Sequence, residues 1–243
     1  MRPSEGQWKA HKSLRATLSK IILLLETHYG IPRRTSPRNP LNILIETILS
    51  QNTNDQNRDR AYQGLKKRFP RWEDALEANT REIASAIRQG GLAKQKAKRI
   101  RAILLWIKNQ EGKLSLSFLR KIDSEEIKTT IGALKGVGPK TIHCLLLFGL
   151  GREAFPVDTH ILRIGKRLGF IPEGMDAEEA HVWMNSVIPK KKSLSLHLNL
   201  IRFGRSLCKA RNPSCDVCFL SKKCLYFVHR VSILHLREGE VKR

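Results

Sequence analysis

The chain has 243 residues, 41% of them hydrophobic, which is enough to bury the core of one large or two modest domains. Its 45 lysines and arginines outnumber its 22 aspartates and glutamates, and the net charge of +23 is spread along the chain, as in proteins that bind nucleic acid. We expect no membrane binding and an intracellular, cytoplasmic or nucleoid location of the prokaryotic type, because no polybasic block, spanning segment or secretion signal is visible.

Apolar residues recur at helical spacing along most of the chain. In residues 13–29 they fall on one helical face, at Leu14, Leu18, Ile21, Ile22 and Leu25. An exposed connector with three prolines and three arginines follows at 31–40. Further helices are predicted over residues 41–50, 55–69, 71–78, 80–88, 94–110, 115–121, 124–134, 139–150, 159–168, 177–187 and 195–207.

The predicted fold class is all-α, because no segment has the pattern of a strand and the connections are too short for βαβ units. Ser124 is the expected N-cap of the helix over 124–134. No internal repeat or low-complexity segment is present.

Residues 134–144, LKGVGPKTIHC, place a glycine turn before a helix. Gly136 and Gly138 can adopt positive φ and allow close approach of another chain, and Pro139 suits a first helical position. Backbone N–H groups at such a start can hold a phosphate without reading base sequence. An ordinary corner between two helices is the alternative for the glycines alone, but Lys140 adds a reactive amine at the start of an apolar helix.

Asp158 lies eighteen residues after Lys140, immediately before the predicted helix over 159–168. Aspartate is a good N-cap, which is the simplest role for this side chain. A helix over 139–150 followed by an extended segment is long enough to return the chain, so both side chains can face one cavity.

Four of the five cysteines lie within seventeen residues, with six, two and five residues between them: Cys208, Cys215, Cys218 and Cys224. Disulfides are disfavoured in an intracellular protein, so this spacing indicates a metal site. Four thiolates suit structural zinc, although zinc ribbons usually contain two close pairs and only one is present here. An iron–sulfur cluster tolerates uneven spacing, and the spacing alone leaves both possibilities open.

Three motifs in this order, GVGPKT, PVDTH and the cysteine spacing, resemble the endonuclease III family of DNA glycosylases in the helix-hairpin-helix superfamily. The resemblance covers residues 41–224. It implies a two-domain helix-hairpin-helix DNA glycosylase fold, with a central domain over 36–152 and a second domain from 1–35 plus 153–243. The second domain would carry a C-terminal [4Fe-4S] cluster loop, with DNA bound in the cleft between the domains.

The same resemblance assigns roles to individual residues. Lys140 would be the catalytic amine and Asp158 the carboxylate that stabilises positive charge on the sugar and assists proton transfers. The four cysteines would bind the [4Fe-4S] cluster, and we expect its role to be structural because it lies far along the chain from Lys140. Gly136 and Gly138 would contact the DNA backbone.

Two loops resemble those that enter DNA in this family, where the target base must leave the duplex. The loop LSQNTND would contribute Gln51 or Asn52, together with the pocket residue Asp55, and QGGLAKQKAKR would contribute Leu92 as a wedge. The structural alternatives are a helix C-cap for Gln51 and Asn52 and a core contact for Leu92.

Basic residues near these motifs complete the predicted DNA contacts. Lys209 and Arg211 resemble a DNA-contacting loop of the family. The helix after Leu92 carries a basic series that we expect to be partly solvated and partly on phosphates: Lys94, Lys96, Lys98, Arg99 and Arg101. His143 and Cys144 depart from the small or apolar residues expected at their positions, and are interpreted as a satisfied core histidine and a buried thiol outside the cluster.

The function predicted from these residues is that of a bifunctional DNA glycosylase and AP lyase of base excision repair. It would act as a monomer on double-stranded DNA with damaged bases or abasic sites, remove oxidised pyrimidines through a lysine Schiff base, and cleave the strand 3′ to the abasic site by β-elimination. Two alternatives remain. A monofunctional glycosylase for mismatched thymine, uracil or adenine would have replaced Lys140, and a non-catalytic DNA-binding iron–sulfur protein would not need both Lys140 and Asp158.

Overall fold

The computed structural model describes residues 5–33 and 36–229, with side chains from residue 13 onward. The helices are α1 (Glu5–Tyr29), α2 (Pro40–Ser50), α3 (Asp55–Arg68), α4 (Trp72–Glu77), α5 (Thr80–Ala86), α6 (Ala93–Glu111), α7 (Ser124–Gly132), α8 (Pro139–Cys144), α9 (Thr159–Leu168), α10 (Ala177–Val187) and α11 (Ser193–Ser206). Short 3₁₀ turns lie at Arg88–Gly90, Ser117–Arg120 and Ser221–Lys223, and residues 225–229 are helical.

The prediction of an all-α fold is confirmed, since the described ranges contain no β-strand. None of the helices in these ranges is long and apolar enough to cross a membrane. Several helices begin at a residue whose side chain caps the first backbone N–H groups. Asn39, for example, caps α2 by accepting hydrogen bonds from Leu41 N and Asn42 N, and Pro40 occupies the first helical position.

Three local predictions differ from the structure. The segment at 115–121 forms only the 3₁₀ turn Ser117–Arg120. Asp123 rather than Ser124 caps α7, because the Asp123 carboxylate accepts a hydrogen bond from Glu126 N at 2.8 Å. The helix predicted over 139–150 ends as a π turn, Leu145–Gly149, and the missing side chain of Gly149 lets this wider turn lie against Pro40.

The chain divides into two compact units. The central unit is Thr35–Ala154, and the terminal unit combines Met1–Arg34 with Phe155–Arg243. The boundaries expected from the sequence, 36–152 and 1–35 plus 153–243, stay a prediction about independent domains.

The central unit is built around α6, which packs against α2, α4 and α5. Its buried apolar residues follow the helical period, at Ala97, Ile100, Ile103, Leu104 and Ile107. Helices α2 and α8 also pack together, and Lys140 of α8 reaches Ser50 at the end of α2. Lys96 and Arg99, near the start of α6, therefore lie close to the loops that follow α2 and α5.

The terminal unit has its own core, formed where α11 packs against α1 and α9. The apolar face predicted in residues 13–29 is confirmed, because Leu18, Ile21, Ile22 and Leu25 are all buried there. Helix α9 contributes Ile161, Ile164 and Leu168 on one face. This packing positions the start of α9 and the segment that follows α11.

Candidate functional site

The Lys140 side chain lies at the carboxyl end of α2. Its Nζ donates a hydrogen bond to Ser50 Oγ at 3.2 Å, and Ser50 Oγ donates to Thr47 O at 2.7 Å. The hydroxyl proton is thus used within α2, and a lone pair of the same oxygen faces the amine. Helix α2 has no basic residue in its last turn, and the partial negative charge at its carboxyl end attracts a cation. The half-buried Lys140 is therefore held by the end of a neighbouring helix.

A second lysine, Lys96, reaches the same end of α2 from α6. Its Nζ donates to Leu49 O and to Gly90 O, both at 2.7 Å, and the residue is only 1% exposed. Burial, with a further contribution from the charge of Arg99, lowers the pKa of Lys96 to about 8. The sequence predicted a solvated or phosphate-bound side chain at this position, and that prediction is wrong for Lys96, because its ammonium group is held inside the protein.

The loop after α2 contains Gln51 and Asn52, and the structure separates their surroundings. The Gln51 amide is bonded within the protein, since Nε2 donates to Gly136 O at 2.9 Å and Oε1 accepts from Arg99 Nη1 at 2.7 Å. Asn52 is exposed and adopts a left-handed backbone, with φ of 51°. Gln51 therefore links this loop to the hairpin, and Asn52 forms the accessible tip.

Leu92 lies in the turn before α6. It is 51% exposed and adopts a left-handed conformation, with φ of 49° and ψ of 35°. This conformation is sterically unfavourable for a leucine, and exposure of its apolar side chain gains no burial energy. Leu92 is therefore not the buried core residue considered from the sequence. Its side chain is available to contact another molecule.

Asp55 is the first residue of α3 and is half-buried. Its carboxylate forms an ion pair with Arg58 Nη1 at 2.7 Å. Asn54 caps the helix through a hydrogen bond from Asn57 N. Asp55 therefore does not cap α3, and its carboxylate is held near the loop tip by Arg58.

The glycine turn has one position that requires glycine. Gly136 has φ of +87°, and a Cβ at this residue would lie 2.6 Å from Arg99 Cδ. Gly138 has φ of −105° and open space around a Cβ, so the predicted positive φ is wrong at this residue. Its extended conformation is open to any residue, because its φ is negative. Within the described part of the central unit, the N–H groups of Gly136, Gly138 and Lys140 donate to no protein acceptor.

The two unexpected residues of α8 are buried. His143 Nδ1 donates to Pro139 O at 2.7 Å, and burial lowers the pKa of this imidazole. Cys144 is in no disulfide within the described part of the chain and is 5% exposed. Both placements agree with their interpretation as a hydrogen-bonded core histidine and a core thiol.

Asp158, in the terminal unit, caps α9. Its Oδ1 accepts a hydrogen bond from Ile161 N at 2.8 Å, and the residue is half-buried. The N-cap role considered from the sequence is present. A cap of this kind fixes the carboxylate in position and leaves its charge available.

The four clustered cysteines line one open cavity in the terminal unit. Burial, and to a smaller extent the charges of the other cysteines, raises the pKa of the Cys218 and Cys224 thiols. Arg167 Nη1 lies 3.4 Å from Cys208 Sγ, next to this thiol set. Among the described side chains, no group of three His, Cys, Asp or Glu residues is arranged to hold a single metal ion.

Lys209 and Arg211 are exposed on the loop between the first two cysteines. Arg167 supports the backbone of this loop by donating to Lys209 O at 2.7 Å and to Ala210 O at 3.1 Å. The loop therefore presents both basic side chains from a supported backbone.

Sequence reasoning did not assign Lys96 and Arg99 to particular contacts. A signal for Lys96 was present, because it lies four, seven and eleven residues before Ile100, Ile103 and Ile107 and so falls on the buried face of α6. Arg99 gave no comparable signal, since its partners Gln51 and Gly136 are distant in the chain.

Comparisons with known proteins agree with this arrangement. The family model described as "HhH-GPD superfamily base excision DNA repair protein" matches residues 45–190, more than half of the chain. Endonuclease III of Thermotoga maritima is 31% identical over 199 residues, which cover 82% of this chain and 89% of that protein. A provisionally named DNA glycosylase of Arabidopsis thaliana is 42% identical over 177 residues, 72% of this chain, and the chain spans only 60% of its length.

A solved structure of a trapped covalent intermediate of endonuclease III and DNA also matches. Its TM-score is 0.75, with 27% identity over 89% of this chain and 98% of that one. The helical fold is thus shared with proteins of one family. The chain belongs to the endonuclease III family, within the HhH-GPD superfamily of base excision DNA repair proteins.

Proposed function

We propose that this protein is a bifunctional DNA glycosylase and AP lyase that removes oxidised pyrimidines from double-stranded DNA. The observation that carries the proposal is the placement of the Lys140 amine on Ser50, at the end of α2, directly before the exposed loop tip at Asn52. The names of the relatives, DNA glycosylase and endonuclease III, support base excision chemistry. The large positive charge supports DNA binding, because phosphates supply most of the affinity in such complexes.

In the proposed reaction, Lys140 Nζ attacks C1′ of the damaged nucleotide in its free-amine form. A C1′–N bond to the lysine forms while the C1′–base bond breaks, and the base leaves with a proton. Opening of the sugar ring yields an imine, the Schiff base available to amine nucleophiles. Loss of a C2′ proton then breaks the bond to the 3′ oxygen, and hydrolysis of the imine restores the lysine. The carboxylate of Asp158 stabilises the positive charge that develops on the sugar.

Base release from a panel of duplexes tests this proposal. Wild-type protein should release oxidised pyrimidines faster than uracil or the thymine of a G·T mismatch, and should cleave the strand on the 3′ side. Faster release of uracil or thymine without strand cleavage would favour the monofunctional alternative. Binding without release or cleavage of any substrate would favour a non-catalytic protein.

We further propose that Asn52 and Leu92 enter the duplex when the base leaves. Both occupy left-handed backbone positions at exposed loop tips, and a Cβ on Gly91 would lie 3.8 Å from Asn52 O, so the two tips are adjacent. Asn52 is preferred to Gln51 for this role because the Gln51 amide is bonded to the hairpin. An apolar wedge and a polar amide can together fill the space that an expelled base leaves.

Replacement of Leu92 by glycine should separate this role from stability. Relief of the left-handed leucine, worth roughly 1–2 kcal/mol, should offset the added chain entropy of glycine, so that the free energy of unfolding changes by less than about 1 kcal/mol. Base release under single-turnover conditions should nevertheless slow by about tenfold or more, since a few kcal/mol of unstacking must be compensated. Lys191→Gly is the matched control, because Lys191 also has positive φ, at 65°. Equal base-release rates for Leu92→Gly and wild type would exclude the wedge.

We also propose that the cysteine cavity holds a [4Fe-4S] cluster. Cys208, Cys215, Cys218 and Cys224 would hold it, since all four line this cavity and thiolates are the usual ligands of such clusters. The positive charge of Arg167 would offset its negative charge. When bound, the cluster would crosslink this loop through four iron–thiolate bonds. Its proposed role is structural, so Lys209 and Arg211 would be presented to DNA phosphates by a folded loop.

Purified protein should therefore be yellow-brown and contain iron and sulfide in equal amounts. Cys215→Ser should reduce the iron content, lower the melting temperature and weaken DNA binding, because the loop loses a crosslink. Cys144→Ser removes a thiol outside the set and should keep the iron content of wild type. Stoichiometric zinc in protein purified without oxygen would contradict the cluster.

A further inference from the structure

Two side chains one turn apart on α6 bind loops from three other parts of the central unit. Lys96 Nζ joins the last turn of α2, through Leu49 O, to the 3₁₀ turn at Gly90. Arg99 Nη1 binds Gln51 Oε1 in the loop after α2. We call Lys96 and Arg99 the loop clamp.

The loop clamp also holds the hairpin turn. Gln51 donates from its other amide atom to Gly136 O at 2.9 Å. Gly136 lies so close to the Arg99 side chain that a Cβ there would be 2.6 Å from both Cδ and Nε. Arg99 thus fills the space beside the glycine, and the hairpin turn cannot shift toward α6 without displacing it.

Burial of Lys96 is energetically unfavourable unless its contacts compensate for the lost hydration. Its two acceptors are carbonyl groups, and no carboxylate charge opposes the lowering of its pKa by burial. An apolar side chain would fill the space without this cost, but it would leave two inward-facing carbonyl groups unpaired. The ammonium group therefore fixes the distance between the carbonyl groups of Leu49 and Gly90.

We propose that Lys96 and Arg99 are positioning residues that hold the Asn52 loop, the Leu92 turn and the hairpin turn in one arrangement before DNA binds. This inference rests on the proposed function for its catalytic consequence, but not for its structural one. Preassembled tips avoid an ordering cost at the step that expels the base. An abasic site has no base to release, so its cleavage depends less on the clamp.

Amide hydrogen exchange tests the structural part directly. With Lys96→Met, exchange within residues 49–54 and 88–92 should rise together, by about tenfold or more, because both carbonyl partners lose the same donor. With Arg99→Met, exchange should rise in residues 51–54 and 134–138. Lys98→Met and Arg101→Met, which change exposed positions of the same helix, should leave these segments as in wild type.

The catalytic part is tested by comparing two single-turnover rates, base release and abasic-site cleavage, in Lys96→Met and in Arg99→Met. Base release from a lesion duplex should slow by about tenfold or more, while cleavage of a preformed abasic site and the DNA dissociation constant stay within about threefold of wild type. Arg99 is only partly buried, so Arg99→Met keeps the test valid if Lys96→Met does not fold.

Three outcomes would overturn the proposal that Lys96 and Arg99 are positioning residues. They are unchanged amide exchange in the loops, a uniform rise in exchange across the core of the central unit, and an equal loss of base release and abasic-site cleavage. Absence of base release in wild type would instead contradict the proposed function. In that case the exchange data alone would decide whether Lys96 and Arg99 hold the loops.

Discussion

Replacement of Lys140 by alanine should abolish borohydride trapping of a protein–DNA adduct and reduce strand cleavage at abasic sites by roughly 10⁴-fold or more, as expected when a covalent nucleophile is lost. Borohydride reduces an imine to a stable amine, so trapping requires the attacking lysine itself. The variant should fold normally, because the hydrogen bond of Lys140 to Ser50 Oγ is only partly buried and is worth about 1 kcal/mol. Gel mobility of the trapped adduct and the rate of cleavage measure the two effects.

Lys135→Ala is the matched control, because Lys135 is an exposed lysine of the same hairpin. It should keep trapping and cleavage close to wild type. If Lys140→Ala still formed the adduct, another amine would be the nucleophile and the central proposal would be wrong. Lys96 has a lowered pKa but cannot serve in this structure, since it is 1% exposed and its amine binds two carbonyl groups.

Replacement of Asp158 by asparagine should slow base release on the order of 10²–10³-fold, because the charge that stabilises the developing cation is lost. Asparagine caps helices as well as aspartate does, so α9 should keep its first turn and the melting temperature should change little. DNA binding should persist. Asp158→Ala should lose the same activity and, in addition, about 1 kcal/mol of stability, because the cap is removed.

The control for this experiment is Asp176→Asn. Asp176 caps α10 in the same unit by accepting hydrogen bonds from Glu178 N and Glu179 N, so the substitution has the same chemistry at a different helix. It should leave base release unchanged. A wild-type rate of base release in Asp158→Asn would show that Asp158 acts only as a cap.

Local patterns predicted most of the helices because a helix is defined by neighbours three and four residues apart. Helices α9 and α10 begin and end at the predicted residues, where an aspartate precedes an apolar stripe. The prediction at residues 139–150 was only partly right, since the π turn at Leu145–Gly149 depends on packing against Pro40, far away in the sequence.

Residues that are close together in the chain were enough to predict the helical fold, the family and the residue types that the proposed chemistry needs, because periodicity, caps and motif spacing are properties of short segments. Which polar groups form hydrogen bonds inside the protein depends on contacts between distant segments. Lys96 lies in a basic series, and its burial could not be predicted from that series because its acceptor Leu49 O is 47 residues away in the chain. The Gln51 amide donates a hydrogen bond within the protein, to Gly136 O, and this acceptor is 85 residues further along the chain. Such partners meet only when the core has formed, since burial of a polar group is favourable only where a distant acceptor is already in place.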